Sequence, residues 1–381
     1  MNSEIVELSA RFENWLYREA LPKWLTSGIN RQNGAHYEAL TMAGEVDDLS
    51  NIRVRVQARQ TFCYAMATKA GWINAENTTT RLLEFSENHA SHLVSGGGFY
   101  HLLNADFSPK DTEEDLYDQA FFFLAYSACI NAFGDNGFSD KAHALSRFLD
   151  EKMKSEHGGW NEGGNRYTVR RQNPHMHLFE AFMSLYESTN DMYWLTRAND
   201  IFLLFERYFY DSDLNVVFEF FNNDWTLAHS VEQAAIEPGH MFEWVWLLDW
   251  YSRISGTKVD HIIQPLFNKG LEIGLAPNGL VYDEVNCFGK IHQATMRSWG
   301  LTELIKAALV MHTRGDPNAN AVMNSALHCM FSSYLQAEFP GGYIDQRDEN
   351  NNVLSDRCPA STLYHYCALA NELRTRVLNK N

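Results

Sequence analysis

The sequence predicts an all-α fold, an (α/α)6 barrel of six helical hairpins, and three observations predict it. Short elements rich in Gly or Asn and carrying an aromatic recur along the chain: "NGAHYEAL" (Tyr37), "GGGFYHLL" (Phe99), "GGWNEGG" (Trp160), "LNVVFEFF" (Phe218), "NGLVYDEV" (Tyr282) and "GGYIDQRD" (Tyr343). The intervals between those aromatics are 62, 61, 58, 64 and 61 residues. The segments between them have helical periodicity, as in "DKAHALSRFLDEKMKSEH" before Trp160 and "NPHMHLFEAFMSLYEST" after it. A fixed period of this length marks one supersecondary unit repeated, and each unit must stack on its neighbours to bury its apolar face. An open array would need polar capping repeats, yet the last segment, "PASTLYHYCALANELRTRVL", reads as an ordinary unit, so closure into a ring is expected. The 381 residues then form a single domain, 1–381, although length alone suggests two.

The N-terminal "MNSEIVELSARFENWLYREALPKWL" is amphipathic and carries acids, without the apolar core and cleavage site of a signal peptide. The longest apolar run, "AFFFLAYSACINAF", is too short to span a bilayer, so no membrane association is expected. The scattered cysteines, Cys63, Cys129, Cys287, Cys329, Cys358 and Cys367, include no C-x-x-C pair, which fits a reducing, cytoplasmic setting. A net charge of −17 argues against nucleic acid and anionic lipid, which call for clustered cations. Monomer and homodimer both remain open.

Residues with chemical capacity fall at matching places in the units. Arg59, Tyr117, His177, His240, Trp299 and His365 each lie 17 to 22 residues beyond their unit's aromatic, near the start of the second helix. In a closed ring those second helices form the inner wall and their starts meet at one mouth, the kind of pocket in which polar groups and aromatics converge.

The stretch "AAIEPGHMFEWVWLLDWY" opens a helix near Glu237, with Pro238 in the first turn. His240, Glu243, Trp244, Leu247, Leu248 and Tyr251 share one helical face, so a histidine and a carboxylate lie on the buried side. At a helix start the dipole disfavours the imidazolium, so His240 is expected to be neutral near pH 7 and able to accept a proton, with Glu243 orienting it. His365, in "CPASTLYHYCAL", occupies the corresponding place in the last unit and makes a second acid or base. In "RRQNPHMHLFEAFM", His175 and His177 cannot share a helical face, and His177 is assigned inward because Glu180, Ala181 and Ser184 lie on its stripe. Asn173 just before it is a helix cap or a ligand for a sugar hydroxyl. Arg59 lies beside Phe62 and Cys63, where a guanidinium meets a carboxylate or a developing oxyanion. Tyr117, Asp118 and Trp299 suit stacking on or hydrogen bonding to a sugar ring, though aromatic stripes are more often core.

His240, Glu243, His177 and His365 would suffice to ligate zinc, but no H-E-x-x-H or comparable spacing is present, and no metal is expected. Neither G-x-G-x-x-G nor a P-loop occurs, so no nucleotide cofactor is expected.

At "EPGHMFEW", "NPHMHLFEAF" and "STLYH" the sequence resembles the N-acylglucosamine 2-epimerase superfamily, and within it most closely the bacterial D-mannose isomerase branch, over nearly the whole chain. The resemblance implies an (α/α)6 barrel that interconverts aldoses and ketoses, or epimerises sugars at C2, without a metal. It also implies that His240 and His365 are the acid/base pair assisted by His177, Arg59 and Glu243, while Asn173, Tyr117 and Trp299 contact a monosaccharide. Glu237 and Asp118 are further candidates for binding the substrate. The expected reaction is metal-independent interconversion of D-mannose and D-fructose, with D-lyxose and D-xylulose as related substrates, through a cis-enediol. A 2-epimerase uses the same residue types. A glycoside hydrolase on this scaffold would draw on paired carboxylates among Glu237, Glu243, Asp118 and Glu180, and a non-catalytic sugar-binding barrel would bind without turnover. Arg170 and Arg171, just before the His177 helix, keep a phosphorylated or sulfonated substrate in view.

Overall fold

The computed structural model describes residues 2–163 and 169–380, so Gly164, the last residue of the "GGWNEGG" element, lies outside the described residues. Helix dominates: α1 Ser3–Trp15, α2 Leu21–Ser27, α3 Val54–Lys69, α4 Glu76–His89, α5 Leu116–Phe133, α6 Phe138–Phe148, α7 Asn173–Thr189, α8 Met192–Leu204, α9 Pro238–Ser255, α10 Asp260–Gly274, α11 Ser298–Thr313, α12 Ala319–Cys329 and α13 Leu363–Arg376.

The odd-numbered helices from α3 to α13 form the inner wall. They are buried on almost every side, as α5 and α9 show, because inner neighbours flank them and an outer layer backs them. The apolar run in α5 is therefore a doubly covered core helix, and none of the described helices is long and apolar enough to cross a membrane. Outer helices are two-faced: α6 buries Ala142, Leu145, Ser146 and Phe148, one stripe, and turns its charges outward. Inner helix α3 packs on α5, α5 on α7, α7 on α9, α9 on α11, α11 on α13, and α13 returns to α3. The ring is closed as the repeat predicts.

The phase of the hairpins differs from the simplest reading of the repeat. Each outer helix packs on the inner helix that precedes it: α4 on α3, α6 on α5, α8 on α7, α10 on α9 and α12 on α11. The sixth hairpin is then made from the two ends of the chain, with α1 packed on α13 and α12. Phe12 and Trp15 meet Tyr366 edge-on at 6.1 and 5.5 Å between ring centroids. Residues Ala39–Thr41 pair antiparallel with Arg357–Pro359, a second tie between the first and last units. Capping repeats are absent because there is no open end to cap.

The repeating aromatics sit where outer helix turns back to inner helix. Bridges Ile29–His36, Ser91–Phe99, Lys154–Trp160 and Leu275–Val281 close the base of four of these turns. Short strands then link one unit to the next around the mouth, pairing Ile52–Arg53 with Leu102–Leu103, Arg170–Arg171 with Phe220–Phe221, and Met296–Arg297 with Gln346–Arg347. Outer helices α1, α6, α8 and α12 each run on into a π-helical turn, a feature the helical period did not announce.

Candidate active site

The starts of the inner helices enclose one cavity of about 300 Å³, at the small end of the range for small-molecule pockets. Arg59, Tyr117, Asn173, His177, Glu237, His240, Glu243, Trp299 and His365 all line it, so nine of the sequence-chosen residues share a single site.

Asp118 does not. It is fully buried behind the wall, where one oxygen accepts from Arg55 Nη1 at 2.7 Å and the other is 2.6 Å from His101 Nδ1. One residue along the helix from Tyr117 it points to another face, so it braces Arg55 instead of contacting a ligand. His175 is also buried away from the cavity, with its Nε2 accepting from the Trp160 backbone N–H at 3.1 Å, and His177 is the inward histidine as expected. Arg170 turns onto the Trp225 ring, 3.5 Å from its centroid, and donates to the Trp160 and Gly158 carbonyls, which removes it from the mouth.

Trp299 packs against both central histidines, with its ring centroid 5.1 Å from that of His240 and 5.4 Å from that of His365. Each imidazole is anchored on its own carboxylate. His240 Nδ1 is 3.0 Å from Glu219 Oε1, whose other oxygen accepts from Gln172 Nε2 at 3.0 Å. His365 Nδ1 donates to Glu303 Oε1 at 2.9 Å, and Lys306 Nζ lies 2.7 Å from the other Glu303 oxygen. With Nδ1 committed as donor, Nε2 is the working nitrogen of both rings.

The surroundings drive the two rings apart in basicity. Burial pushes both down, but at His240 the charges of Glu219 and Glu237 overcome it and raise the pKa to about 10. At His365 burial wins over Glu303, and the pKa falls to about 4. The expectation that His240 is neutral is thus corrected, because two carboxylates outweigh the helix dipole. Glu243 is not its orienting partner either. It faces His177 Nδ1 at 3.9 Å, and Glu219 holds His240 instead. Burial and the neighbouring Arg59 keep His177 well below its usual range.

Arg59 donates to the Ser361 carbonyl at 3.1 Å and to Tyr117 Oη at 2.7 Å, and lies 4.1 Å from the Phe121 ring centroid. Its Nε has no partner, and among the described residues no carboxylate lies within ion-pair distance. Asn173 Oδ1 is also buried and unpartnered, so Asn173 is not spent on capping α7. Arg53, Arg55, Arg171 and Arg297, by contrast, are matched by Glu38, Asp118, Glu162 and Asp283. Glu237 joins the last of these at 3.1 Å from Arg297 Nη2.

Glu219, Glu303, Lys306 and Gln172 were not singled out from sequence. Glu303 and Lys306 lie four and seven residues after Trp299, on its stripe, which was a usable signal. Among the described residues, three groups bring His and carboxylate ligand atoms within 4.8 Å of one another: His101, Asp115 and Asp118; His177, Glu180 and Glu243; Glu219, Glu237 and His240. Each already faces a resident cation, namely Arg55, Lys306 and Arg297.

The architecture is that of the (α/α)6 barrels. A structure of cellobiose 2-epimerase from Bacillus thermoamylovorans B4167 superposes with a TM-score of 0.86 at 19% identity, covering 97% of this chain and 99% of that one. A D-mannose isomerase crystal structure superposes with a TM-score of 0.84 at 20% identity, covering 97% of each chain. The family model for N-acylglucosamine 2-epimerase (GlcNAc 2-epimerase) matches residues 35–368. A protein named mannose-6-phosphate isomerase from Rhizobium meliloti strain 1021 is 30% identical over 386 residues, 97% of each chain. The chain belongs to the N-acylglucosamine 2-epimerase family, a family of sugar isomerases and epimerases.

Proposed function

We propose that this chain is a metal-independent aldose–ketose isomerase that interconverts D-mannose and D-fructose by histidine acid/base transfer through a cis-enediol. The observation that carries this reading is the pair of cavity-lining histidines, each fixed through Nδ1 on its own carboxylate; their surroundings raise the pKa of His240 and lower that of His365, which suits one as acid and the other as base. Neutral His365 takes the C2 proton of the open-chain aldose on Nε2. The C–H pair becomes the C1=C2 bond, and the carbonyl π electrons move to O1, which takes a proton from the His240 imidazolium. Charge developing on the enediol meets Arg59, whose cation is not neutralised by a carboxylate. His365 then returns its proton to C1 while neutral His240 removes the proton from O2, giving the ketose and restoring both rings.

A C2 epimer results if the proton instead reaches C2 from the opposite face. That second reading keeps the same machinery, and the fold likeness to cellobiose 2-epimerase keeps it in play. A neutral sugar is favoured over a phosphorylated one because, among the described residues, every arginine of the mouth except Arg59 is already matched by a carboxylate. The hydrolase reading loses support because Asp118 is withdrawn and Glu237 is tied to Arg297.

His240→Ala and His365→Ala are each expected to lower kcat by about 10²–10⁴-fold, the usual scale of a lost general acid or base, with unchanged far-UV circular dichroism. Substantial turnover in either folded variant contradicts the assignment.

A further inference from the structure

Below the histidines the inner wall carries a buried set of ionisable groups. Glu243 on α9 faces His177 and Glu180 from α7 and Glu303 and Lys306 from α11, with His240 on its own helix; Arg59 from α3 and Tyr364 and His365 from α13 border the set. Three glutamates thus surround one ammonium. Glu303 holds it at 2.7 Å and also accepts from His365. Glu180 accepts the Tyr364 hydroxyl. Glu243 has neither kind of support: it is fully buried, both carboxyl oxygens lack a hydrogen-bond partner among the described residues, and the nearest described ring nitrogen is 3.9 Å away on His177. It nevertheless lines the catalytic cavity.

An ionised carboxylate in that position would lack the hydrogen bonds and ion-pair contact that make a buried charge tolerable, because the Lys306 ammonium it shares sits on Glu303, whereas a neutral acid has a proton to give. Ketosteroid isomerase, where an acid kept neutral by its apolar site donates to an enolate oxygen, shows the principle. From this geometry we infer that Glu243 is carried as the neutral carboxylic acid and donates a hydrogen bond from its O–H to a substrate oxygen of the enediol. The inference rests on the isomerase/epimerase reading of the site. No proton is transferred from Glu243: as O1 is protonated by His240 and O2 passes from hydroxyl to carbonyl, the Glu243 O–H remains intact and its bond strengthens wherever negative charge collects. Burial, followed by the field of Glu303, raises the Glu243 acid well above the ordinary carboxyl range, which supports the same state.

The test is infrared difference spectroscopy of substrate-free protein at neutral pH, wild type minus Glu243→Gln, with Glu243→Asp as a second comparison. The expected result is a protonated-carboxyl C=O band in the wild type that shifts in D2O, is absent from Glu243→Gln and persists in Glu243→Asp. In kinetics, Glu243→Gln, which keeps a weaker N–H donor, should lower kcat about tenfold, and Glu243→Ala about 10²–10³-fold, the scale of a lost oxyanion donor. Loss of only ionised-carboxylate bands in Glu243→Gln, or a kcat loss in Glu243→Gln equal to that in Glu243→Ala, would overturn the inference. The spectra need no substrate, so they report on Glu243 even if mannose proves to be the wrong sugar.

Discussion

His240 and His365 share Trp299 as a neighbour, and still the pKa of the first is raised to about 10 and that of the second lowered to about 4. The cause is the count of carboxylates: Glu219 and Glu237 both act on His240, whereas the single partner of His365, Glu303, is itself held by Lys306. The proposed mechanism needs His365 neutral and His240 charged, so activity rises as pH climbs through about 4 and falls as it climbs through about 10. Glu219→Gln removes the chief charge that raises His240. The alkaline limb of kcat/KM should then move down by about 1–3 units, the usual effect of one close opposite charge, with the acid limb unmoved. An unchanged alkaline limb would mean that His240 does not set it. Both histidines were legible because they recur at the same offset from a repeat aromatic. Their charge states were not, because Glu219 reaches His240 from a neighbouring turn, a contact only the fold creates.

At the level of elements, the site depends on how closely inner helices approach. Gly239, in the first turn of α9, lies against Trp299 and Gly300 at the start of α11, and a Cβ there would stand 2.6 Å from two carbons of the indole ring. Gly239→Ala must therefore shift the ring that both histidines pack against. The expected cost is about 1–3 kcal/mol of stability from overpacking and a loss of about 10²-fold in kcat/KM, the scale of a 1 Å misplacement. Thermal unfolding and steady-state kinetics check it, and full activity would show that the position of the Trp299 ring does not matter to the pair. A second device spans several units: Glu38, Glu162 and Asp283, one or two residues past their unit's aromatic, bind Arg53, Arg171 and Arg297 just before an inner helix. The aromatic half of that pattern was visible in the repeat. The acid–arginine half was not, since the partners lie 9 to 15 residues apart in segments without regular periodicity.

For the molecule as a whole, the period near sixty residues sufficed to predict six units, a closed ring and a shared mouth, because stacking repeats must bury a continuous core. The pairing of outer with inner helices was not readable, since a helical hairpin can be cut from the chain in either phase; only the packing of α1 on α13 shows that the two ends complete the sixth hairpin. Every unit contributes to the cavity: Arg59, Tyr117, His177, His240, Trp299 and His365 arrive on six different helices. Proton transfer through an enediol in that cavity is read out by proton NMR of the purified protein with D-mannose in D2O, with and without EDTA. D-Fructose is expected as the first product, carrying solvent deuterium at C1 to the extent that the imidazolium exchanges, at a rate EDTA does not change. D-Glucose as first product would transfer the assignment to a 2-epimerase, and conversion abolished by EDTA would contradict the metal-free mechanism.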